Sequence, residues 1–161
     1  AIIASVPREC TQFVCGRPTA GTGSGMLFDG EDGFVRHWDQ YETPGIFSRV
    51  FLFPIKGGRA QGPGVAADGP LEEGALVGDT PIQPFGGLED LAWSPRGDAL
   101  YFVARHSGAE EPTSTNTDIY RIVEGESRPT NLTAANDIRV NDLLTPYGNP
   151  TTESFTGCVT L

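Results

Sequence analysis

Leu91-Ala92-Trp93-Ser94-Pro95-Arg96-Gly97-Asp98-Ala99-Leu100-Tyr101-Phe102 reads as a strand, a tight turn and a second strand. Pro95 pre-sets its own backbone angle and Gly97 accepts a positive φ, so Ser94-Pro95-Arg96-Gly97 closes a hairpin. Trp93 is the expected anchor of the core. The second strand runs on to Arg105 through Tyr101, Phe102 and Val103, a run rich in strand-forming residues. After a polar loop, Thr117-Asp118-Ile119-Tyr120-Arg121-Ile122-Val123 gives a third strand. Glu124-Gly125-Glu126 turns the chain, and Pro129-Thr130-Asn131-Leu132-Thr133 supplies a short edge segment. Four strands joined in chain order by short connections predict an antiparallel meander. That is the size and connectivity of one β-propeller blade.

Upstream the same style continues with longer interruptions. Ile2, Ile3 and Val6 mark the end of a strand that enters a turn at Pro7. Residues 10–30 read as loop, punctuated by five glycines and Pro18. So long a structureless stretch inside a domain points to a functional excursion or an insertion. Gly33-Phe34-Val35-Arg36-His37-Trp38-Asp39 predicts a strand with Phe34, Arg36 and Trp38 on one face. Ser48-Arg49-Val50-Phe51-Leu52-Phe53-Pro54-Ile55 predicts another, ended by the turn Lys56-Gly57-Gly58-Arg59. Residues 61–84 are loose. No stretch combines helical periodicity with helix caps, so the expected class is all-β. The expected architecture is an incomplete β-propeller of about two four-stranded antiparallel blades with long Gly/Pro-rich loops.

Composition agrees. The 161 residues hold 21 glycines and 13 prolines, about a fifth of the chain where roughly 12% is usual. The net charge is −10, from 11 basic and 21 acidic residues. Without a basic cluster the chain has nothing to exchange for the counterions of a phosphate backbone, so nucleic acid is not an expected partner. No run of 18 apolar residues suggests a membrane span. The first residues are Ala1-Ile2-Ile3, with no methionine, which suggests a processed, trimmed or partial chain.

Of the three cysteines, Cys10 and Cys15 lie five positions apart. Such a pair closes a small disulfide in an exported protein, or stays as two free thiols. Metal binding lacks a second ligand pair, and no metal or other cofactor is expected. Cys158 is left without a partner in this reading.

The segment from Leu91 to Phe102 resembles the propeller-repeat signature apolar-x-Trp/Phe-Ser-Pro-Asp-Gly-Lys-x-apolar-x-Phe, with Arg96 and Asp98 in place of its Asp and Lys. Around it stand Pro84-Phe85-Gly86-Gly87, Ser114-Thr115-Asn116-Thr117-Asp118, Asn131-Leu132-Thr133, Arg36-His37-Trp38-Asp39 and the cysteine pair. In this order they resemble the N-terminal propellers of prolyl-oligopeptidase-family serine peptidases, the acylaminoacyl peptidases and dipeptidyl aminopeptidases. The likeness covers residues 1–148 and assigns them to a partial propeller. Residues 149–161 form a divergent or poorly assigned tail.

The resemblance implies a non-catalytic part of a serine exopeptidase. Such a propeller gates and orients short peptides for a separate α/β-hydrolase domain that carries the Ser, Asp and His of the triad. This chain is expected to lack that triad. Gly21-Thr22-Gly23-Ser24-Gly25 approaches a Gly-x-Ser-x-Gly elbow, but Thr22 and Met26 stand where the glycines flanking Ser24 should be. His37 reads as a satisfied, partly buried histidine and His106 as a loop residue. Arg36 is a candidate for pairing with a carboxylate of a neighbouring blade or for touching substrate, with Asp39 beside it. Glu110 and Glu111, in a loop, are candidate substrate-binding residues, because the resemblance implies acidic propeller residues that hold a peptide's amino terminus, and paired carboxylates suit an ammonium group. Asn131-Leu132-Thr133 matches a glycosylation sequon, but a plain strand end capped by Thr133 is the preferred reading.

The expected partners are the remainder of the same protein, including its hydrolase domain, and short peptides; homo-oligomerisation stays open. The expected location is periplasmic or secreted. The competing reading is a periplasmic Tol–Pal-type binding propeller without catalysis. Two blades alone leave blade faces unpaired, so the isolated chain is not expected to be a stable monomer.

Overall fold

The computed structural model describes residues 1–8, 10–15, 23, 25–28, 35–69, 78–105, 113 and 116–135. These form an all-β structure of antiparallel sheets, with one 3-10 turn at Leu88–Asp90 and no α-helix among the described residues.

Two sheets organise it. The first is β1 (Ile2–Pro7), β4 (Ile46–Leu52) and β7 (Val65–Ala66), in the order β1-β4-β7. β1 and β4 pair over their length, from Ile2 opposite Phe51 to Pro7 opposite Ile46. Two small hairpins lie between the strands of this sheet: β2 (Arg36–His37) with β3 (Gln40–Tyr41), and β5 (Ile55–Lys56) with β6 (Arg59–Ala60). The second sheet is the meander expected from the sequence. β8 (Leu91–Trp93), β9 (Ala99–Ala104), β10 (Asp118–Val123) and β11 (Thr130–Asn131) pair in chain order.

The β8–β9 turn shows why Ser94 is needed. Its hydroxyl accepts the backbone N–H groups of Asp98 (3.1 Å) and Ala99 (3.2 Å) and donates to the Asp98 carboxylate at 2.6 Å. Gly97 takes φ +74°, the left-handed region that glycine enters without steric cost. The hydroxyl's bond holds the Asp98 carboxyl below its ordinary value. Exposed Arg96 adds a contact at 3.1 Å, so the two departures from the repeat signature leave the turn intact.

One apolar layer joins the sheets. Val50, Ala67, Ile3 and Leu52 from the first meet Leu91, Leu100, Phe102, Ala104, Tyr120 and Ile122 from the second. Phe102 and Tyr120 are cross-strand partners whose rings stack at 5.7 Å, a pairing that adds to their area burial. The arrangement is compatible with two neighbouring blades of an incomplete propeller. Trp93 corrects the expectation: it is 50% exposed. Phe102, 1% exposed, is the aromatic buried between the sheets. Trp93 shares a face with Leu91 and Leu100, but it sits at the end of the short outer strand, beyond the reach of the opposite sheet.

The far side of the first sheet carries a second cluster of Val6, Cys10, Phe51 and Ala66, with Ala4, Cys15 and Phe53. The Cys10–Cys15 disulfide is formed. The loop it closes lays Phe13 edge-on against Phe51 (5.7 Å) and Phe53 (5.4 Å). Beneath this loop lies Arg49, 1% exposed, in a strand that reads as nearly continuous apolar sequence. Its guanidinium meets the Asp68 carboxylate through Nε (2.9 Å) and Nη2 (2.6 Å), and it donates to the carbonyls of Cys10 and, at 3.3 Å, Gly69. A buried cation needs both a counter-ion and filled donor sites, and Arg49 has both. It ties the disulfide loop and the end of β7 to the central strand.

Candidate functional site

The described residues that the sequence marks as functional gather at the β2–β3 hairpin. Of the strand expected over residues 33–39, the described part, residues 35–39, is not extended throughout. Only Arg36 and His37 pair across the hairpin, with Tyr41 and Gln40, and Trp38 turns the chain at φ +53°. This left-handed backbone is unusual for a bulky residue; it costs on the order of 1–3 kcal/mol and persists only where the surroundings impose it. Trp38 therefore does not share a strand face with Arg36. It projects from the tip of the hairpin instead.

The hairpin's side chains divide by role. His37 is largely covered, and its Nε2 lies 3.4 Å from Glu42 Oε1, which agrees with the satisfied histidine expected. Arg36 is exposed, and its guanidinium stands 5.9 Å from the centre of the Tyr41 ring. That distance is at the outer limit of a cation–π contact. Trp38 meets Phe85 edge-to-face at 5.1 Å. Both rings are mostly in solvent, at 68% and 74% exposure. Leu88, close in sequence to Phe85, is exposed as well.

Phe85 is held from below by polar groups. Asp90 is buried, and its Oδ2 accepts the Ile82 N–H at 3.1 Å. Gly86 donates its N–H to the Ile82 carbonyl. A Cβ on Gly86 would run into the Ile82 backbone and the Asp90 carboxylate. This close approach is the physical reason for glycine in Pro84-Phe85-Gly86-Gly87. The site is thus an exposed aromatic pair, one ring on the tip of the hairpin and one on a braced turn, with the exposed Arg36 guanidinium nearby in sequence. It offers flat apolar faces and a hydrogen-bond donor, which suits binding rather than bond making. Nothing in the residue pattern announced the Trp38–Phe85 contact, because the two lie 47 positions apart.

Glu110, Glu111, His106 and Ser24 fall outside the described residues, as does the tail 149–161. Among the described residues no group of three or more His, Cys, Asp or Glu side chains is placed to hold a metal ion. No helix among them is long and apolar enough to cross a membrane. The sequon Asn131-Leu132-Thr133 is used internally. Asn131 Nδ2 donates to Asp118 Oδ2 (3.0 Å) and Tyr120 Oη (3.2 Å), and its Oδ1 accepts the Thr133 N–H. Thr133 Oγ1 accepts the Ile119 N–H at 3.0 Å, the capping role the sequence allows. Desolvation, with the Asp118 charge adding to it, pushes the Tyr120 hydroxyl up to about 12.

The chain is 31% identical over 121 residues to dipeptidyl-peptidase 5 from two strains of Aspergillus fumigatus. The match takes in 70% of this chain but 16% of the relative, so the chain spans about a sixth of the length of the curated relatives it matches. No family profile matches the chain, and no solved structure does. The chain is therefore distantly similar to a peptidase across most of its length.

Proposed function

We propose that this chain is a non-catalytic, propeller-type portion of a serine exopeptidase of the prolyl-oligopeptidase family. In this reading it gates and orients short peptides for a separate α/β-hydrolase domain elsewhere in the same protein. The similarity to dipeptidyl-peptidase 5 carries the proposal. The ordered four-stranded meander packed on a second antiparallel sheet is the kind of scaffold such a portion requires. An exported location, periplasmic or secreted, goes with the reading, since disulfides persist in oxidising compartments.

The roles follow from chemistry. Trp38 and Phe85 offer apolar faces to the side chains of a peptide, and Arg36 offers donors to its carbonyl or carboxyl oxygens. Glu110 and Glu111 are the proposed acceptors for its amino terminus. The hydrolase domain supplies nucleophile, base and oxyanion hole.

The test uses the chain and its parent enzyme. The isolated 161-residue chain, given dipeptidyl-nitroanilides, should release no nitroaniline above background. Turnover that a serine-directed inhibitor abolishes would place the catalytic residues here and overturn the assignment. In the parent enzyme, Trp38→Ala should raise KM for dipeptidyl substrates several-fold while kcat stays within about twofold, as loss of uniform binding requires.

A further inference from the structure

Among the described residues the first sheet has an open edge, whose occupant can be read from the second sheet. The two sheets are built alike: a six-residue strand (β1, β9) pairs with a long strand (β4, β10), which pairs with a two-residue strand (β7, β11). β9 has a further partner, β8, on its other side; among the described residues β1 has none.

Hydrogen-bond parity fixes which groups of β1 are open. Antiparallel pairs alternate between bonded and non-bonded positions. The Arg8 N–H donates to the Gly45 carbonyl at 2.9 Å, next in register after Pro7 and Ile46. The bonded pairs are then Val6 with Phe47, Ala4 with Arg49 and Ile2 with Phe51. β4 agrees: Val50 and Ser48, opposite Ile3 and Ser5, direct their carbonyls the other way, to the N–H groups of Ala67 (2.8 Å) and Thr80 (2.8 Å). The N–H and C=O groups of Ile3 and Ser5 therefore point out of the sheet edge.

In β9 the same parity holds. The Glu124 N–H reaches the Asp98 carbonyl at 2.8 Å, so Ala99, Tyr101 and Val103 turn their groups toward β8, and the Ala99 carbonyl accepts the Ser94 N–H. Ala1-Ile2-Ile3-Ala4-Ser5-Val6 thus stands to its sheet as Ala99-Leu100-Tyr101-Phe102-Val103-Ala104 stands to the other, residue for residue in bonding direction. In that alignment Ile3 takes the place of Tyr101, whose partner across the edge is Ala92.

We propose that the β1 edge pairs, through Ile3, with a further antiparallel strand of the longer polypeptide, placed before β1 as β8 is placed before β9. The occupant is a short strand of apolar–small–aromatic type joined to β1 by a tight five-residue turn like that of residues 94–98. An unpaired edge is a standing template for strand addition, and the similar dipeptidyl-peptidases hold about five sixths of their length outside the matched region. The inference rests on the sheet topology, with the length of the similar proteins as support, and does not depend on any catalytic role for the chain.

The experiment joins a copy of residues 88–98 directly to Ala1, so that the copied Ala92 comes opposite Ile3. Amide hydrogen exchange and thermal unfolding are followed in the original and extended chains. A second extended chain carries Pro in place of the copied Ala92, which removes the donor. The Ile3 amide should exchange at least about tenfold more slowly in the extended chain, as for a paired strand. The midpoint should rise by a few degrees, and the Pro version should show neither effect. Unchanged exchange at Ile3, while the amides of β9 and β10 stay protected, would overturn the proposal. Slowing at Ile3 in the original chain that grows with protein concentration would overturn it too, because a second copy would then occupy the edge.

Discussion

Replacing Arg49 tests what holds the first sheet together. Arg49→Met keeps most of the side-chain volume and removes the charge. Asp68 is 5% exposed, so its carboxylate is left without its counter-ion in a dry site, and the Cys10 and Gly69 carbonyls each lose a donor. Breaking a buried pair from one side costs on the order of 3–5 kcal/mol, a large part of the roughly 5–15 kcal/mol that holds a domain folded. Adding Asp68→Ala removes the stranded charge, and only the orphaned carbonyls and lost packing remain, at about 1–3 kcal/mol. The double variant should therefore be more stable than Arg49→Met alone, by about 2 kcal/mol. Acid should act in the same direction. Burial pushes the Asp68 carboxyl up from its ordinary value, against the downward pull of Arg49. Without Arg49 the upward push of burial is opposed only by a backbone hydrogen bond, its smallest counterweight. The folded chain then holds the proton more tightly than the unfolded one, so this group's contribution is present at acid pH and lost as pH rises through the folded-state value. The deficit of Arg49→Met against the natural chain should be smaller at pH 4 than at pH 7. Urea unfolding of the three variants at both pH values measures it. A deficit below about 1 kcal/mol, or no recovery with Asp68→Ala, would refute the view that a fully buried ion pair anchors the disulfide loop.

Other expectations follow from the same contacts. Phe102→Ala empties the layer shared by the two sheets and should cost about 3–5 kcal/mol by chemical denaturation, whereas Trp93→Ala, at a half-exposed position, should cost far less. Tyr120 is raised to about 12, so its contribution is complete below the ordinary value near 10 and is lost as pH rises from there toward 12. That loss amounts to about 2–3 kcal/mol, and it should vanish in Tyr120→Phe when stability is followed against pH. Reducing the Cys10–Cys15 bond opens a small loop and should lower stability by about 2 kcal/mol, read as a shift in the urea midpoint on adding a thiol reductant. Ser94→Ala strips the β8–β9 turn of its hydroxyl acceptor and should cost about 1–2 kcal/mol, with faster amide exchange at Asp98 and Ala99 as the local readout.

Much of the second sheet is legible in the sequence, because its determinants are local. Alternating apolar residues at Leu100 and Phe102 and at Tyr120 and Ile122, and a turn that needs Ser94 and Gly97 in place, specify strand, reversal and strand within a few residues. The all-β class follows from the same short-range chemistry. The candidate site is legible only in part. Arg36, His37 and Trp38 stand out as a motif, and Phe85 as part of another, but that the Trp38 and Phe85 rings meet depends on the β2–β3 hairpin and on a distant turn braced by Asp90 and Gly86. Arg49 is the clearest case of the opposite kind. A charged residue inside an apolar strand gives no sign by itself of whether it faces water or a partner. Asp68 lies 19 positions away, and the receiving carbonyls belong to a loop closed by a disulfide. Burial of Phe102 in place of Trp93 was likewise decided by the opposing sheet, since strand pattern says which side chains share a face but not how far along it the neighbouring sheet reaches.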